Sequence, residues 1–423
     1  MRALRWLAPA LAACVLGCPV AETGLPDGGT GGGLDGGGGD GGPPVTWYRD
    51  VLPIVQTECQ TCHTTGGIGP FSLDRYEDAV PFAASMASAV ERGVMPPWLP
   101  APGCGSFRRE RRIDADAIAV FRAWAEQGAP EGDPADAPPP PEDLPGLDWV
   151  DAELDAGVDY TPNAQSKRDD YHCLVVDPGL TVPADVIGLD VVPGVAAMVH
   201  HVVLFIVDRE AAQKKDAETP GPGWTCYGDS GVNGSFEVLG VWVPGQPAIE
   251  YPAGTGIRLE PNEVIAMQVH YNFDATDPVP DRTRLKLQFA KTPVSKPAQL
   301  PIVLNFGFAI PSGAEGYTYA FDQDTGNTPL RLWGVLPHMH QLGRSIRIQA
   351  ELPGGEELCL IDIPRWDFNW QQLYMYDTDV GIELPPHSKV RIECTWDNPT
   401  DRIVTFGEGT HDEMCLAFFY VTQ

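Results

Sequence analysis

The sequence predicts a mainly β protein, with two tandem jelly-roll-type β-sandwiches preceded by a small all-α domain and a disordered Gly-rich tether. Two observations support this fold class. A helical pattern before a Pro-rich stretch gives way to short alternating strands after it. The 423 residues also include 46 Gly and 42 Pro, a content typical of β-rich domains with many turns and linkers.

Charge excludes one large class of function. The chain has 28 Lys and Arg against 58 Asp and Glu, a formal net charge of -30. A protein that binds nucleic acid through phosphate contacts needs a basic face, so we expect no nucleic-acid partner. With 43% hydrophobic and 20% charged residues, disorder along the whole chain is also excluded.

The first residues predict export. Residues 1–18 have the form of a lipoprotein-type signal peptide: Arg2 and Arg5 precede an apolar run that is too short to span a bilayer. The run ends at Val15-Leu16-Gly17-Cys18, which resembles a bacterial lipobox with Cys18 as the lipidated residue. We therefore expect a periplasmic or cell-surface lipoprotein that contacts the membrane only through its lipid anchor.

Two alternatives to this anchor stay open. Leu11-Ala12-Ala13-Cys14 also fits a lipobox but leaves a shorter signal, and ordinary cleavage leaves no lipid at all. The Gly-rich residues 19–45 that follow are predicted to be a flexible tether.

Residues 46–132 are predicted to be helical. Val51, Ile54 and Val55 have helical spacing, and Asp114 can cap a helix whose Ala117, Phe121 and Trp124 fall on one face. The Pro-rich residues 133–147 form a semi-rigid linker that ends this domain.

The remainder of the chain is predicted to form strands separated by turns. It is too long for one ordinary sandwich, so we assign one to residues 148–295 and a second to residues 296–423, with the boundary in a Pro-containing stretch. The predicted strands are Val199–Val207, Val264–Tyr271, Leu285–Phe289, Ser345–Leu352, Lys389–Trp396 and Leu416–Val421.

A C-x-x-C-H motif in the helical region predicts one covalently attached haem c. Cys59 and Cys62 lie one helical turn apart, as two thioether bonds require, and His63 is placed to ligate the iron. A disulfide or thioredoxin-like pair is the alternative, but no βαβ pattern surrounds the motif. Met95 is the predicted sixth ligand, with Met86 as its rival.

Residues 48–132 resemble bacterial cytochrome-c-like modules. The resemblance is carried by the C-x-x-C-H motif, by Met95-Pro96-Pro97-Trp98, and by the segment from Ala123-Trp124 to Gly128-Ala129-Pro130-Glu131-Gly132. It implies a cytochrome-c-like haem domain.

The histidines predict two metal sites. His338 and His340 share a face of a strand and can hold one metal ion. His200 and His201 point in opposite directions on a regular strand, so a shared site with His270 requires a bulge or a strand end.

Copper is the predicted metal. Imidazole suits copper or zinc, whereas a thioether favours copper, and Met414 can supply that sulfur to the His338 and His340 site. Taken singly, each histidine has a structural alternative. A hydrolytic zinc site with His411 in place of the methionine is a further alternative.

This ensemble resembles the copper type II, ascorbate-dependent monooxygenases, the family of peptidylglycine α-hydroxylating monooxygenase and dopamine β-monooxygenase, over roughly residues 150–423. The resemblance implies two tandem nine-stranded sandwiches and two copper ions. It also implies that Gln268 lies between the coppers. Its implied ligands are His200, His201 and His270 for the electron-transfer copper, and His338, His340 and Met414 for the copper where oxygen reacts.

Cysteine pairing agrees with this resemblance. Cys173 with Cys226 would crosslink the first sandwich, and Cys394 with Cys415 the second, beside Met414. Cys104 and Cys359 remain, with their pairing open.

The resemblance fails at the substrate positions. Where peptide-amidating members have an Arg, an Asn and a Tyr to hold a peptide carboxylate, this chain has Leu336, Leu416 and Phe418. A carboxylate beside three apolar side chains would be desolvated without a partner. We therefore expect an apolar or aromatic small molecule as substrate.

The predicted function is an exported copper monooxygenase that hydroxylates a C–H bond of a small organic substrate with O₂. The fused haem suggests that electrons arrive through the c-type domain, instead of or besides ascorbate, from a redox partner. The alternative is a non-catalytic, lipid-anchored electron-transfer or copper-binding protein, for which a missing ligand would be the signature.

Overall fold

The structure is a computed structural model. It describes residues 43–65, 67, 69–140, 146–163, 169–232, 237–273, 277–407 and 411–423. Residues 44–423 form one compact unit, which contains all but one of the described residues. The predicted signal peptide, the lipidated Cys18 and nearly all of the tether lie outside the described residues. Among the described helices, none is both long enough and apolar enough to cross a membrane.

Short helices form the first part of this compact unit. A π-helical turn at Trp47–Val51 leads into α1, and 3₁₀ turns lie at Val80–Phe82 and Pro134–Asp136. The α-helices here are α1 (Leu52–Glu58), α2 (Tyr76–Ala79), α3 (Ala83–Glu91) and α4 (Ala115–Glu126).

The core of this helical part is aromatic. Trp47, Phe121 and Trp124 are completely buried, as the predicted helical face requires. The Asp114 side chain caps α4 by accepting a 2.8 Å hydrogen bond from the backbone N–H of Ala117, which confirms the predicted start of this helix.

Strands dominate the rest of the chain, and one helix, α5 (Arg209–Asp216), interrupts them. The strands of the first half are β1 (Ala152–Leu154), β2 (Asp169–Val176), β3 (Ala184–Val192), β4 (Val199–Asp208), β5 (Trp224–Thr225), β6 (Glu237–Trp242), β7 (Ile249–Glu250), β8 (Thr255–Leu259), β9 (Glu263–Asn272) and β10 (Arg284–Phe289). The later strands are β11 (Lys296–Gln299), β12 (Ile302–Leu304), β13 (Ala309–Ile310), β14 (Tyr317–Asp324), β15 (Leu330–His338), β16 (Gly343–Glu351), β17 (Glu357–Ile363), β18 (Tyr374–Met375), β19 (Ile382–Leu384), β20 (Lys389–Trp396), β21 (Val404–Thr405) and β22 (Leu416–Thr422).

These strands form a mainly β architecture consistent with β-sandwiches. A five-stranded sheet has the order β5-β2-β9-β4-β6, and a four-stranded sheet the order β14-β20-β16-β17. A larger, eleven-stranded sheet runs β1-β10-β3-β8-β11-β22-β15-β18, with β7, β12 and β19 paired beside this path. One buried core joins the five-stranded sheet to the first part of the large sheet, and another joins the four-stranded sheet to its second part.

The large sheet is continuous across the predicted boundary between residues 295 and 296. Strand β11 pairs in parallel with β8 and antiparallel with β22, so it hydrogen-bonds to strands on both sides. The two halves are therefore joined by backbone hydrogen bonds. The predicted domain limits themselves stay a prediction.

Every predicted strand is confirmed within one or two residues at its ends. Helix α5 was not predicted: the Asp208 side chain caps it by accepting from the N–H of Ala211 at 2.9 Å, and Lys214 and Lys215 lie in its last turn.

Three disulfides connect the described residues. The predicted pairs Cys173–Cys226 and Cys394–Cys415 are confirmed. Cys104 and Cys359, left open by the sequence, also form a disulfide, which links the segment before α4 to β17 over 255 residues of sequence. This third disulfide fixes the helical part to the second sandwich.

Candidate metal centres

A bulge in β4 brings three histidines together. Opposite β9, Val199 pairs with Tyr271 and His201 with His270, so His200 is the extra residue of the bulge. The geometric condition for a shared site is therefore met. The Nδ1 atom of His201 lies 3.2 Å from that of His200 and 3.3 Å from that of His270.

The outer nitrogens of this His200–His201–His270 triad are held by side chains from other segments. The Nε2 atom of His270 lies 3.0 Å from a carboxylate oxygen of Asp169, and that of His200 lies 3.1 Å from the amide oxygen of Asn369. Because oxygen acceptors favour protons on the Nε2 atoms of these two rings, their Nδ1 lone pairs both face the Nδ1 atom of His201. Converging lone pairs repel, and a bound cation removes that repulsion.

Burial keeps the triad neutral. It lowers the pKa of His200, and it lowers the pKa values of His201 and His270 well below the usual value. The Tyr171 ring stacks on His270 at a centroid distance of 4.0 Å. Neutral imidazoles at nearly fixed positions are what a copper or zinc ion binds. Within the described residues, these three are the only group of three or more His, Cys, Asp or Glu with ligand atoms this close.

A second histidine pair lies where β15 ends. His338 is opposite Leu416 in the pairing of β15 with β22, so Met414 precedes β22 at the same edge of the sheet. The Nδ1 atom of His338 contacts the amide oxygen of Gln371, and that of His340 lies 3.0 Å from the backbone oxygen of Asp412. Since both Nδ1 atoms contact protein oxygens, a metal ion at this pair would bind through Nε2. Burial and the neighbouring His340 lower the pKa of His338 to about 3.

A buried carboxylate holds the backbone around this pair. Glu413 is completely buried and accepts from the N–H groups of His340 at 2.9 Å and Leu342 at 2.6 Å, and from the Trp396 indole N–H at 2.9 Å. Burial raises its pKa to about 7. Glu413, with the Cys394–Cys415 disulfide, fixes the segment that carries Met414.

His338, His340 and Met414 line one cavity of about 220 Å³. His201 and Gln268 also line it, so this apolar cavity extends from the second site to the triad. The catalytic role predicted for Gln268 stays a prediction. The other lining is almost entirely apolar and includes Val203, Phe205, Val241, Val243, Ile302, Leu304, Phe306, Leu336, Phe406, Leu416 and Phe418.

A larger cavity, of about 490 Å³, lies against the C-x-x-C-H motif. Cys59, Cys62, His63 and Met95 all line it, as does the rival Met86. The two cysteines are free thiols, although every other cysteine in the described residues forms a disulfide.

The surroundings of the motif favour a neutral Cys59 thiol and fix the orientation of the His63 ring. Burial raises the pKa of the Cys59 thiol to about 12, which is opposite to the lowered pKa of a reactive thioredoxin-like pair. The Nδ1 atom of His63 lies 3.0 Å from the backbone oxygen of Phe71, so its Nε2 atom is the one available to the cavity.

The remaining histidines do not join these centres. His411 is exposed and does not line the apolar cavity, so the zinc alternative gains no support. His172 stacks on Tyr160 and contacts the backbone oxygen of Pro222 at 2.7 Å, and the exposed His387 lies 3.5 Å from Asp324.

Sequence reasoning missed the side chains that orient the candidate ligands. Asp169 is 101 residues from His270, and Asn369 is 169 residues from His200. The only local signal was the run of aromatic and amide residues between β17 and β18, which contains Asn369 and Gln371.

Comparison with known proteins now defines the family. Residues 161–277 match the model for the N-terminal domain of copper type II ascorbate-dependent monooxygenases, and residues 314–422 match that for the C-terminal domain. DBH-like monooxygenase protein 1 of Gallus gallus is 26% identical over 246 residues. That match covers 52% of this chain and only 38% of the Gallus gallus protein.

Solved structures give only weak likenesses. The major capsid protein P2 of bacteriophage PM2 is 7% identical with a TM-score of 0.28, covering 64% of this chain and 96% of the capsid chain. The VP2 subviral particle of infectious bursal disease virus is 9% identical with a TM-score of 0.18. That match covers 64% of this chain and 70% of the VP2 chain. TM-scores this low support no inference. The two domain matches lie on the two halves that contain the histidine sites, and the chain belongs to the copper type II ascorbate-dependent monooxygenase family.

Proposed function

We propose that the protein is an exported copper monooxygenase that hydroxylates a C–H bond of a neutral, apolar small molecule, and that a fused c-type haem delivers its electrons. Family membership implies copper-dependent hydroxylation. The observation that carries the proposal is that all six expected ligands are present, in two clusters that reach one apolar cavity.

The donor atoms fit copper at both positions. Three neutral imidazoles present converging Nδ1 atoms at the triad, and two imidazoles share the cavity with a thioether at the second site. A thioether favours Cu(I), so Met414 would keep the second site easily reduced. Copper bound at these positions supplies one-electron transfer and O₂ chemistry. In the overall reaction, one oxygen atom enters the C–H bond, and two electrons and two protons reduce the other to water.

The protein's own groups supply binding, orientation and exclusion of water. The apolar lining of the cavity binds the substrate and keeps water from the reacting atoms. Gln371 and the backbone oxygen of Asp412 fix the ring orientations of His338 and His340. Gln268, buried on β9 two residues before His270, lines the same cavity.

The cavity wall supports the proposed substrate class. Leu336, Leu416 and Phe418, which occupy the positions of the carboxylate-binding residues of the amidating enzymes, all line it. No Lys or Arg is among the described residues that line this cavity, so a substrate carboxylate would find no ionic partner there. A cavity of about 220 Å³ fits a small aromatic or aliphatic molecule.

The larger cavity fits a covalently attached haem. Two free cysteines lie where thioether bonds would form, His63 has one nitrogen available, and Met95 lines the same space. A cavity of about 490 Å³ lies within the usual size range of cofactor sites. His63 with Met95 as axial ligands would raise the reduction potential of the iron.

Export and lipid anchoring through Cys18 belong to the proposal on the strength of the N-terminal sequence. The three disulfides support this compartment, because disulfides persist in oxidising environments. Ascorbate or a redox protein would then reduce the haem from outside the cell membrane.

The direct test is ¹⁸O₂ incorporation by the copper-loaded full chain, with ascorbate and matched pairs of neutral and carboxylated aromatic substrates. We expect ¹⁸O in the products of the neutral substrates and none in those of their carboxylated analogues. His340→Ala should abolish product formation, whereas His387→Ala, an exposed control, should not change it. O₂ consumption without any hydroxylated product would instead favour a non-catalytic copper or electron-transfer protein.

A further inference from the structure

The segment Phe368–Gln371, between β17 and β18, contacts all three proposed cofactor positions. Asn369 and Trp370 line the larger cavity beside the C-x-x-C-H motif. His200 of the triad lines that same cavity. A proposed copper ligand therefore forms part of the wall between the proposed haem position and the triad. The Nε2 atom of His200 lies 3.1 Å from the amide oxygen of Asn369.

The same segment continues to the second site. The Phe368 ring stacks on His200 at a centroid distance of 5.8 Å and lies edge-on to His340 at 6.1 Å. Gln371 contacts His338. Four consecutive residues therefore reach the larger cavity, the triad and the second histidine pair.

Several contacts hold the helical part against this junction. Arg365 donates to the backbone oxygen of Gly93 at 3.0 Å, and Arg111 donates to the side-chain oxygen of Gln372 at 2.8 Å. A Cβ atom on Gly245 would lie 2.5 Å from the sulfur of Cys62, so the first sandwich approaches the motif as closely as a glycine permits. The Cys104–Cys359 disulfide makes the attachment covalent.

We propose that Phe368–Gln371 is the electron junction of the protein, with His200 as the point where electrons enter the copper sites and Asn369 as the residue that positions it. This inference rests on the proposed function, since it requires haem at Cys59–His63 and copper at the triad. Electrons would then pass from haem to copper through packed residues of one folded unit. The helical part and the sandwiches would not need to meet by diffusion on a flexible linker.

The electron balance is simple. One electron leaves the ferrous haem, which becomes ferric, and reduces one cupric ion held by the triad to the cuprous state. No bond forms or breaks, and no proton is transferred. Ascorbate, a one-electron reductant, returns the haem to the ferrous state.

The test is anaerobic flash photoreduction of the full chain loaded with haem and copper. A photoexcited flavin takes an electron from a sacrificial donor that does not bind copper, and the flavin semiquinone so formed reduces the haem. The visible absorption band of the haem then reports its reoxidation while the Cu(II) electron paramagnetic resonance signal decays. We expect reoxidation to be first-order, independent of protein concentration, and absent without copper. Asn369→Leu and Trp370→Leu should slow it about tenfold or more.

Matched variants distinguish loss of the contact between Asn369 and His200 from general destabilisation of the fold. Asn369→Asp retains an acceptor for His200 and should restore the rate, and Asn262→Leu, at an exposed turn, should leave the rate unchanged. Asn369→Leu should also alter the Cu(II) spectrum of the triad. Wild-type rates in both Asn369→Leu and Trp370→Leu, a concentration-dependent rate, or no covalent haem would each overturn the junction.

The outcome is separable from the oxygenase activity. If ¹⁸O product forms with ascorbate while junction variants transfer electrons at the wild-type rate, the junction is wrong and the oxygenase stands. If the wild-type chain transfers electrons internally but forms no product from any substrate, the oxygenase is wrong.

Discussion

The two histidine sites are built from similar parts but face different surroundings. The triad presents Nδ1 atoms, contains only nitrogen donors, and borders the larger cavity through His200. At the other site the Nδ1 atoms of both histidines contact protein oxygens, the sulfur of Met414 lies beside them, and the lining of the cavity is apolar. This difference supports the proposed function, in which one site would receive electrons and the other would meet the substrate.

Removing one proposed copper ligand should cause the largest loss of product formation. His340→Ala should lower product formation by more than about 100-fold, because loss of a direct ligand exceeds the usual cost of losing its hydrogen-bond partner. The triad should still bind copper, so the copper content should fall from two ions per chain to one. Loss of both ions would contradict the independence of the two sites.

Changing the partners that orient the ligands should have smaller and site-specific effects. Asp169→Asn should weaken copper binding at the triad, and Gln371→Leu at the second site, each by about 10–100-fold. Copper titration followed by electron paramagnetic resonance should resolve the two affinities. Equal weakening of both sites by either variant would show that the sites are coupled rather than separate.

The disulfide beside Met414 should contribute stability to the second sandwich. Its cysteines are separated by 21 residues, so replacing both Cys394 and Cys415 with Ala should lower the free energy of unfolding by about 3 kcal/mol. Denaturant unfolding of the copper-free chain measures this. Because Met414 precedes Cys415, copper affinity should fall at the second site and stay unchanged at the triad.

The smallest expected effect is on the pH dependence of stability, and it comes from His172, a buried histidine outside both sites. Burial lowers the pKa of His172, so below its ordinary value of about 6.5 the unfolded chain binds a proton that the folded chain does not. Its stabilising contribution is therefore complete above about pH 6.5 and decreases as the pH falls.

The comparison with His172→Asn isolates this residue from the other histidines. The difference in unfolding free energy between wild type and variant should narrow between pH 7 and pH 5, by at most about 1.4 kcal/mol per pH unit. A constant difference would mean that His172 protonates equally in both states.

Local sequence was enough to predict the strands on which most of the candidate ligands lie. Alternation located β4 and β9. The i, i+2 spacing predicted that His338 and His340 share a strand face, but β15 ends at His338, so His340 lies just beyond the strand. The bulge at His200 was a stated geometric requirement, and the register shift in β4 meets it. The pairing of Cys173 with Cys226 also followed from the family resemblance.

The remaining features depend on contacts between distant segments. Nothing near His270 in sequence points to Asp169, because their contact requires β2 to pair with β9. The continuous eleven-stranded sheet depends in the same way on β11 joining β8 and β22. The cavity shared by His200 and the C-x-x-C-H motif arises only when the helical part docks on the sandwiches.

In the proposed function, two copper ions occupy chemically different sites, and only one of these sites contains sulfur. X-ray absorption spectroscopy of the reduced, copper-loaded protein tests it directly, in wild type and in Met414→Ile. We predict two copper ions per chain and a sulfur scatterer at about half of them, absent from the variant. A copper spectrum without sulfur in the wild type, or with sulfur retained in Met414→Ile, would contradict the account.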